Sequence, residues 1–270
     1  MLSYNQTSIL YCTALVVTCA NWRGTGHRTR RGVGMGRDDI CVGIIGAMDI
    51  EVDLIKRMFE GTREVRRFGM VFCVGSLGGV SAVAVECGCG KVNAALCAML
   101  LVSEFGVTHV INTGVAGALD DRIDIGDVVV SVDAVQHDMD CTALGYDPGC
   151  IPGLDEIEFE ADRDLRKLAV RAVEQEAPEV HVFEGRVASG DQFVSSKEQR
   201  DFIDSVFGAL CTEMEGGAIA HACHLAEVPF VVVRAISDKA DGSADMDYPT
   251  FKNVAAARSA RIVARIIKDM

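Results

Sequence analysis

The sequence predicts an α/β protein in three layers, α/β/α, around a central mixed β-sheet. Three observations predict it. Short runs that are apolar at nearly every position, such as 41–47 (CVGIIGA) and 228–236 (VPFVVVRAI), suit strands buried on both faces. Segments with helical spacing alternate with them, as in chains whose helices cover a sheet. A hairpin signal, Gly78-Gly79 between two strand-like runs, interrupts that alternation near the start.

Taken in order, 41–47 is a strand ending in glycine. Residues 49–59 (DIEVDLIKRMF) are a helix with Ile50, Leu54 and Met58 along one side. Residues 70–77 and 80–87 are the two arms of the hairpin, and 90–104 is an Ala/Leu-rich buried helix. Strands follow at 109–112 and 127–135, an amphipathic helix at 162–175 and a strand at 182–189. Ser195 to Glu198 matches a capping box that opens a helix through Ile203. The chain closes with a helix at 216–225, the buried strand 228–236 and a helix at 250–267. No Pro/Ser linker divides residues 40–270, so they are expected to form one domain, with 1–39 an extension.

Composition narrows the function. Of 270 residues 49% are hydrophobic, and the 27 glycines follow no period, which excludes disorder, collagen and coiled coil. The net charge of −13 argues against a nucleic-acid partner, which needs a basic face. That charge is uneven. Residues 1–37 carry five arginines and no acid, whereas the remainder holds 21 basic against 39 acidic residues. The apolar run 8–20 is 13 residues long, short of the about 20 that span a bilayer, and no basic residue precedes it as in a signal peptide. The extension is read as disordered, or as sequence upstream of a start at Met35, and no membrane partner is expected. Eleven cysteines, several inside apolar runs, read as reduced buried thiols of a cytoplasmic protein. Cys87 and Cys89 make C-x-C, not the C-x-x-C of zinc or redox sites, so no metal is expected.

Three segments could carry chemistry. The first, 43–51 (GIIGAMDIE), places glycines at a strand-to-helix turn without the pattern of a dinucleotide or P-loop site, and ends on Glu51. An acid there also suits the helix dipole. The second, 212–217 (TEMEGG), sets two carboxylates around Met214 ahead of a helix, and the apolar flanks argue against a solvated loop. The third, 232–238 (VVRAISD), is a buried strand that ends in Ser-Asp, where open α/β folds place their sites. Asp238 fits a cap equally well. Arg234 within that strand needs an acid partner, for which Glu51 or Glu215 would serve. His221 and His224 read as a packed or surface pair, and residues 137–140 (HDMD) as a strand-end turn.

Together these pieces resemble the bacterial 5′-methylthioadenosine/S-adenosylhomocysteine nucleosidases of the nucleoside phosphorylase superfamily. The resemblance runs from Cys41 to the C-terminus, about 85% of the chain. It rests on GIIGAMDIEV (43–52), CGCGKVNAA (87–95), INTGVAGAL (111–119), GDVVVSVDAVQHDMDCTALGY (126–146), SGDQFV (189–194), EMEGGAIAH (213–221) and VPFVVVRAISDKAD (228–241), in the family's order. The resemblance implies a nucleoside phosphorylase-like fold and a hydrolase that releases adenine. Asp238 would protonate N7 of the base, which calls for a raised pKa, and Glu51 would activate the attacking water. Glu215 would hold the ribose hydroxyls, with Met214 on the sugar. Phe193 would stack on the adenine, the backbone of Val194 would read its edge, and Gly117 belongs to the same binding positions. Ser237 would support Asp238, and Arg234 would pair with the acids around the water. Met48, Cys89, Cys141, Leu144, Pro152 and Tyr248 match positions lining the 5′-alkylthio pocket. Pro152 is expected from a partner subunit, so a homodimer is implied. No cofactor is called for.

Where related phosphorylases bind phosphate through an arginine in the first Gly-rich loop, residues 48–51 offer acids, which favours water. Cys89, Cys141, Leu144 and Val115 stand where some relatives carry Ile, Val, Phe and Ser, and they reshape the 5′ end. Three alternatives remain: a phosphate-dependent purine nucleoside phosphorylase, a hydrolase of 6-amino-6-deoxyfutalosine, and a nucleoside-binding module without catalysis.

Overall fold

The computed structural model describes residues 36–154, 156–241 and 244–270, without the side chains of 244–250 and 252. The apolar run and the possible start at Met35 lie outside the described residues.

The first strand, β1 (Cys41–Gly46), is buried along nearly its whole length and runs parallel to β4 (Val80–Glu86) and to β5 (His109–Ala118). The hairpin pairs β4 with β3 (Met70–Leu77), and β2 (Glu60–Arg67) adds the edge. From β5 the sheet curls back on itself. β10 (Phe230–Asp238) lies parallel to β5 and antiparallel to β6 (Val128–Gln136). β6 pairs with β8 (Val182–Ser189), β8 with β9 (Cys211–Glu213), and β9 returns to the end of β5. The short β7 (Glu158–Glu160) flanks β6. Bulges at 236–238 and 131–134 supply the bend.

Helices cover both faces of this mixed sheet. On one, α2 (Lys91–Phe105) and α5 (Gly216–Leu225) contribute Cys97, Leu101 and Ile219 to a core with Phe72 and Val232. On the other, α1 (Asp49–Lys56), α3 (Arg163–Glu176) and α6 (Ala244–Asp269) pack Ile55, Leu165 and Ile266 against Ile44 and Val233. A third cluster seats Ile203 and Phe207 of α4 (Lys197–Phe207) over the end of the sheet beside Val194. The nine cysteines among the described residues are free thiols, six of them buried. No helix of the described residues is long and apolar enough to cross a membrane.

Several elements differ from the sequence expectation for physical reasons. The expected strand 109–112 continues to Ala118. Its glycines read as a loop, but they keep the pairing with β10 where bulky groups cross. A Cβ on Gly114 would strike the Arg234 guanidinium and come within 2.6 Å of Glu51 Oε1. The strand β2 was not expected, because EGTREVRR is exposed along most of its length. Charged side chains suit an edge, where they discourage pairing with another chain. The capping box of α4 sits one residue later than Ser195: Ser196 Oγ accepts from Gln199 N at 3.3 Å, and the helix runs on to Phe207. The body also reaches back into the expected extension, since Arg37 donates to the carbonyls of Gly78 and Lys268.

Candidate active site

A cleft opens where the C-terminal ends of β1, β5 and β10 meet β9 and the loop after β8. The turn into α1 delivers Glu51. It is 2% exposed, and its Oε2 accepts from the backbone N–H groups of Ala47 (2.7 Å) and Met48 (3.0 Å), closing the helix start. Its Oε1 accepts from Val115 N at 3.2 Å at the cleft wall. The helix cap and the cleft acid are therefore one residue. Burial raises the Glu51 carboxyl above the usual range, against the opposing pull of Arg234 and the three backbone donors.

Arg234 lies in the middle of β10 and is 1% exposed. Its Nη2 donates to Asn112 Oδ1 at 2.6 Å and to Glu213 Oε2, with Glu215 Oε2 at 3.6 Å. Burial alone would lower its pKa, but Glu213, Glu215 and Glu51 outweigh this and hold it raised. The closest partner is thus Glu213, which was not expected, while the expected Glu215 pairs at longer range and Glu51 acts through its charge. Glu213 also accepts from the N–H groups of Glu215 and Gly216 at 2.8–3.0 Å and from Ser189 Oγ, so it starts α5 as well as balancing the arginine. Its pattern, EME, was visible in the sequence, but which of the two acids takes the arginine depends on a contact across strands.

Glu215 has its Oε1 on Gly90 N at 2.8 Å. Burial and the neighbouring Glu213 push its carboxyl up to about 7, although Arg234 and Gly90 N pull the other way. Asp238, 3% exposed, ends β10. Its Oδ2 accepts from Ser237 Oγ at 2.8 Å and its Oδ1 from Ala240 N at 2.9 Å. Gly117 faces it closely: a Cβ there would lie 2.7 Å from Asp238 Oδ1 and 2.8 Å from Ala240 Cβ.

The cleft also brings together Met48, Cys89, Gly117, Met214, Phe193 and Val194. Phe193 is half exposed and Val194 buried. Cys141, Leu144 and Pro152 do not line it; they sit on the surface loop between β6 and β7, with Leu144 and Pro152 exposed. Within that loop Asp140 Oδ1 accepts from Thr142 N at 2.9 Å and Thr142 Oγ1 at 2.7 Å, a local turn. Tyr248 falls in α6, with its side chain outside the described residues. Gln192, Ala47 and Thr212 line the cleft without having been expected there; each lies in a segment the sequence singled out, but none carries a charge that marks it as a site residue.

His221 and His224 flank Phe159, the first stacked on it at 4.9 Å between ring centres. No cluster of potential metal ligands occurs among the described residues.

A buried strand-end acid, a second acid at a helix start and a third beside Gly90 N define a cleft suited to acid–base work on a small ligand. Residues 42–268 match the model of the phosphorylase superfamily, to which the chain belongs. Within it, the chain is a member of the 5′-methylthioadenosine/S-adenosylhomocysteine nucleosidase family. The nucleosidase of that name from Treponema pallidum is 44% identical over 253 residues, covering 86% of this chain and 94% of the relative. That of Staphylococcus haemolyticus is 40% identical, covering 84% and 99%. Among solved structures, the Neisseria meningitidis nucleosidase in complex with methylthio-immucillin-A is 39% identical with a TM-score of 0.82, over 85% of this chain and 99% of that one. The futalosine hydrolase of Helicobacter pylori is also similar, at 35% identity and a TM-score of 0.81, over 86% and 98%.

Proposed function

We propose that this protein hydrolyses the N-glycosidic bond of 5′-methylthioadenosine and S-adenosylhomocysteine, releasing adenine and the 5-alkylthioribose. The observation that carries the reading is the convergence of Asp238, Glu51 and Glu215 on one cleft within a member of this family. Asp238 gives its proton to N7 as the C1′–N9 bond breaks. The oxocarbenium-like sugar is met by a water whose proton passes to Glu51. The Glu51 oxygen on the α1 turn fixes the carboxylate, while its other oxygen is available at the cleft wall. Glu215 takes the ribose hydroxyls, and Phe193 and Val194 take the base. Met48 and Cys89 give the apolar surface that a thioether prefers.

A second copy of the chain would complete the 5′ end. Val92 and Leu96 on α2, Leu144 on the loop that carries Pro152, and Leu225 on α5 are all at least half exposed, an apolar surface that suits a homodimer. The free buried thiols suit a cytoplasmic setting. The likeness to a futalosine hydrolase favours one further substrate for testing, 6-amino-6-deoxyfutalosine.

The test is adenine release from 5′-methylthioadenosine in phosphate-free buffer, repeated with phosphate and with the other two nucleosides. Release without phosphate is expected, and strict phosphate dependence would overturn the assignment of Glu51. Asp238→Asn is expected to lose turnover by about 10²- to 10⁴-fold while still binding substrate. Turnover within about threefold of wild type would remove Asp238 from the reaction.

A further inference from the structure

The loop that leaves β8 carries Gln192, Phe193 and Val194 into the cleft, with α4 packed on Val194 and Gln199 Nε2 donating to Gln192 Oε1 at 2.7 Å. At Asp191 it is tied by a closed set of contacts to the start of α2. Asp191 N donates to Asp138 Oδ2 at 2.9 Å, and Asp138 Oδ1 receives Lys91 Nζ at 2.6 Å. The circle closes where Lys91 N donates to Asp191 Oδ1 at 2.7 Å. Gln136 Oε1 takes a further bond from Lys91 Nζ at 3.1 Å.

Three features separate this from an ordinary surface ion pair. The Lys91 and Asp138 side chains are only 18% and 15% exposed, where a short charge-assisted contact is worth more than in water. Helix α2 has no cap of its own, since Gly90 is its N-cap residue, so Asp191 supplies the missing carboxylate from a hundred residues away. Gly90 also makes room for that approach: its φ is +93°, and a Cβ there would lie 2.9 Å from Asp191 Oδ1. Although burial alone would raise the Asp138 carboxyl, Lys91 and Asp191 N hold it below the usual range, so it stays charged near neutral pH.

The same turn carries the sugar side of the cleft, because Gly90 N holds Glu215 Oε1. We propose that Lys91, Asp138 and Asp191 form a clasp that positions the base-binding loop relative to the sugar-binding acid. They are positioning residues and touch no reacting atom. The inference rests on the nucleosidase reading above and assigns to that reaction a device for adenine affinity.

The experiment measures adenine binding by calorimetry, and KM and kcat for 5′-methylthioadenosine, in wild type, Asp138→Asn, Lys91→Met and their double variant. Both single variants are expected to raise the adenine Kd and the KM about tenfold and to change kcat less than threefold. The double variant is expected to be no worse than either single one, because the two groups act as a unit. Lys91→Arg, which keeps the charge, should restore KM to within about twofold. Hydrogen exchange in peptides spanning 189–195 should accelerate in Asp138→Asn. Should that variant fail to fold, Lys91→Met carries the same test. Unchanged adenine affinity in the variants, a loss confined to kcat, or independent losses in the double variant would overturn the clasp alone. A wild type that binds no adenine and releases none would overturn the functional reading beneath it.

Discussion

Glu215→Gln is expected to stabilise the protein at pH 8 while damaging the reaction. The Glu215 carboxyl sits against Glu213 and Glu51 with one guanidinium among the three acids, and its pKa lies at about 7 against an ordinary 4.5. For an acid raised on folding, the favourable contribution is complete below pH 4.5. It is lost as pH rises through about 7, because the folded state must then carry a charge that the unfolded state carries freely. Moving a carboxyl over that range costs about 3 kcal/mol at pH 8. Glutamine keeps an oxygen for Gly90 N and removes the charge, but its amide faces Arg234, which offsets part of the gain. A net gain of about 2 kcal/mol is therefore expected at pH 8, falling to near zero at pH 5. Urea denaturation at both pH values, at one protein concentration, gives the two differences from midpoint and slope. Adenine release on the same samples should show KM and kcat both impaired. A variant less stable than wild type at pH 8, or a difference that does not vary with pH, would refute the charge assignment.

Two further substitutions test the surroundings of the same groups. Gly117→Ala introduces a methyl group 2.7 Å from Asp238 Oδ1, and Ala240 N and Ser237 restrain the carboxyl from yielding. A loss of about 10²-fold in kcat with a normal circular dichroism spectrum is expected, and near-normal kcat would show that Asp238 has room to move. Arg234→Met leaves Glu51, Glu213 and Glu215 without their cation, and about 3–5 kcal/mol of destabilisation is expected at pH 8. A urea-derived difference below about 1 kcal/mol would count against the pairing.

The strands with continuous apolar sequence were legible, as were the hairpin and the acids at strand and helix ends, because each writes its cause into neighbouring residues. β1 is apolar and β10 nearly so apart from Arg234; Glu51 lies in the first turn of the helix after β1, and Asp238 closes β10. What was not legible depends on partners distant in sequence. The extension of β5 through Gly114 and Gly117 makes sense only once Arg234 and Asp238 lie across from them. Glu213 and Glu215 are equivalent on the page, and a cross-strand contact decides that the first takes Arg234. The surface position of Cys141 and Leu144 was not legible either, since a local run of residues does not say whether its loop reaches the chain's own cleft.

The site's electrostatics follow from placing three glutamates around one arginine in a buried volume. Full ionisation would leave two uncompensated negative charges, and burial makes that expensive. The structure divides the cost unequally. Glu213 receives the arginine, Ser189 and two helix N–H groups. Glu51 receives three backbone N–H groups. Glu215 has one backbone donor and the longer contact to Arg234, and burial with Glu213 beside it pushes its carboxyl up to about 7, while burial raises Glu51 as well. Glu215 thus accepts from fewer protein donors than its two neighbours, and on the proposed reading the hydroxyl donors of a bound nucleoside would supply what the protein leaves out. Binding energy at the ribose would then come from relieving a charge the fold has left underserved, and a ligand lacking those hydroxyls would forfeit it.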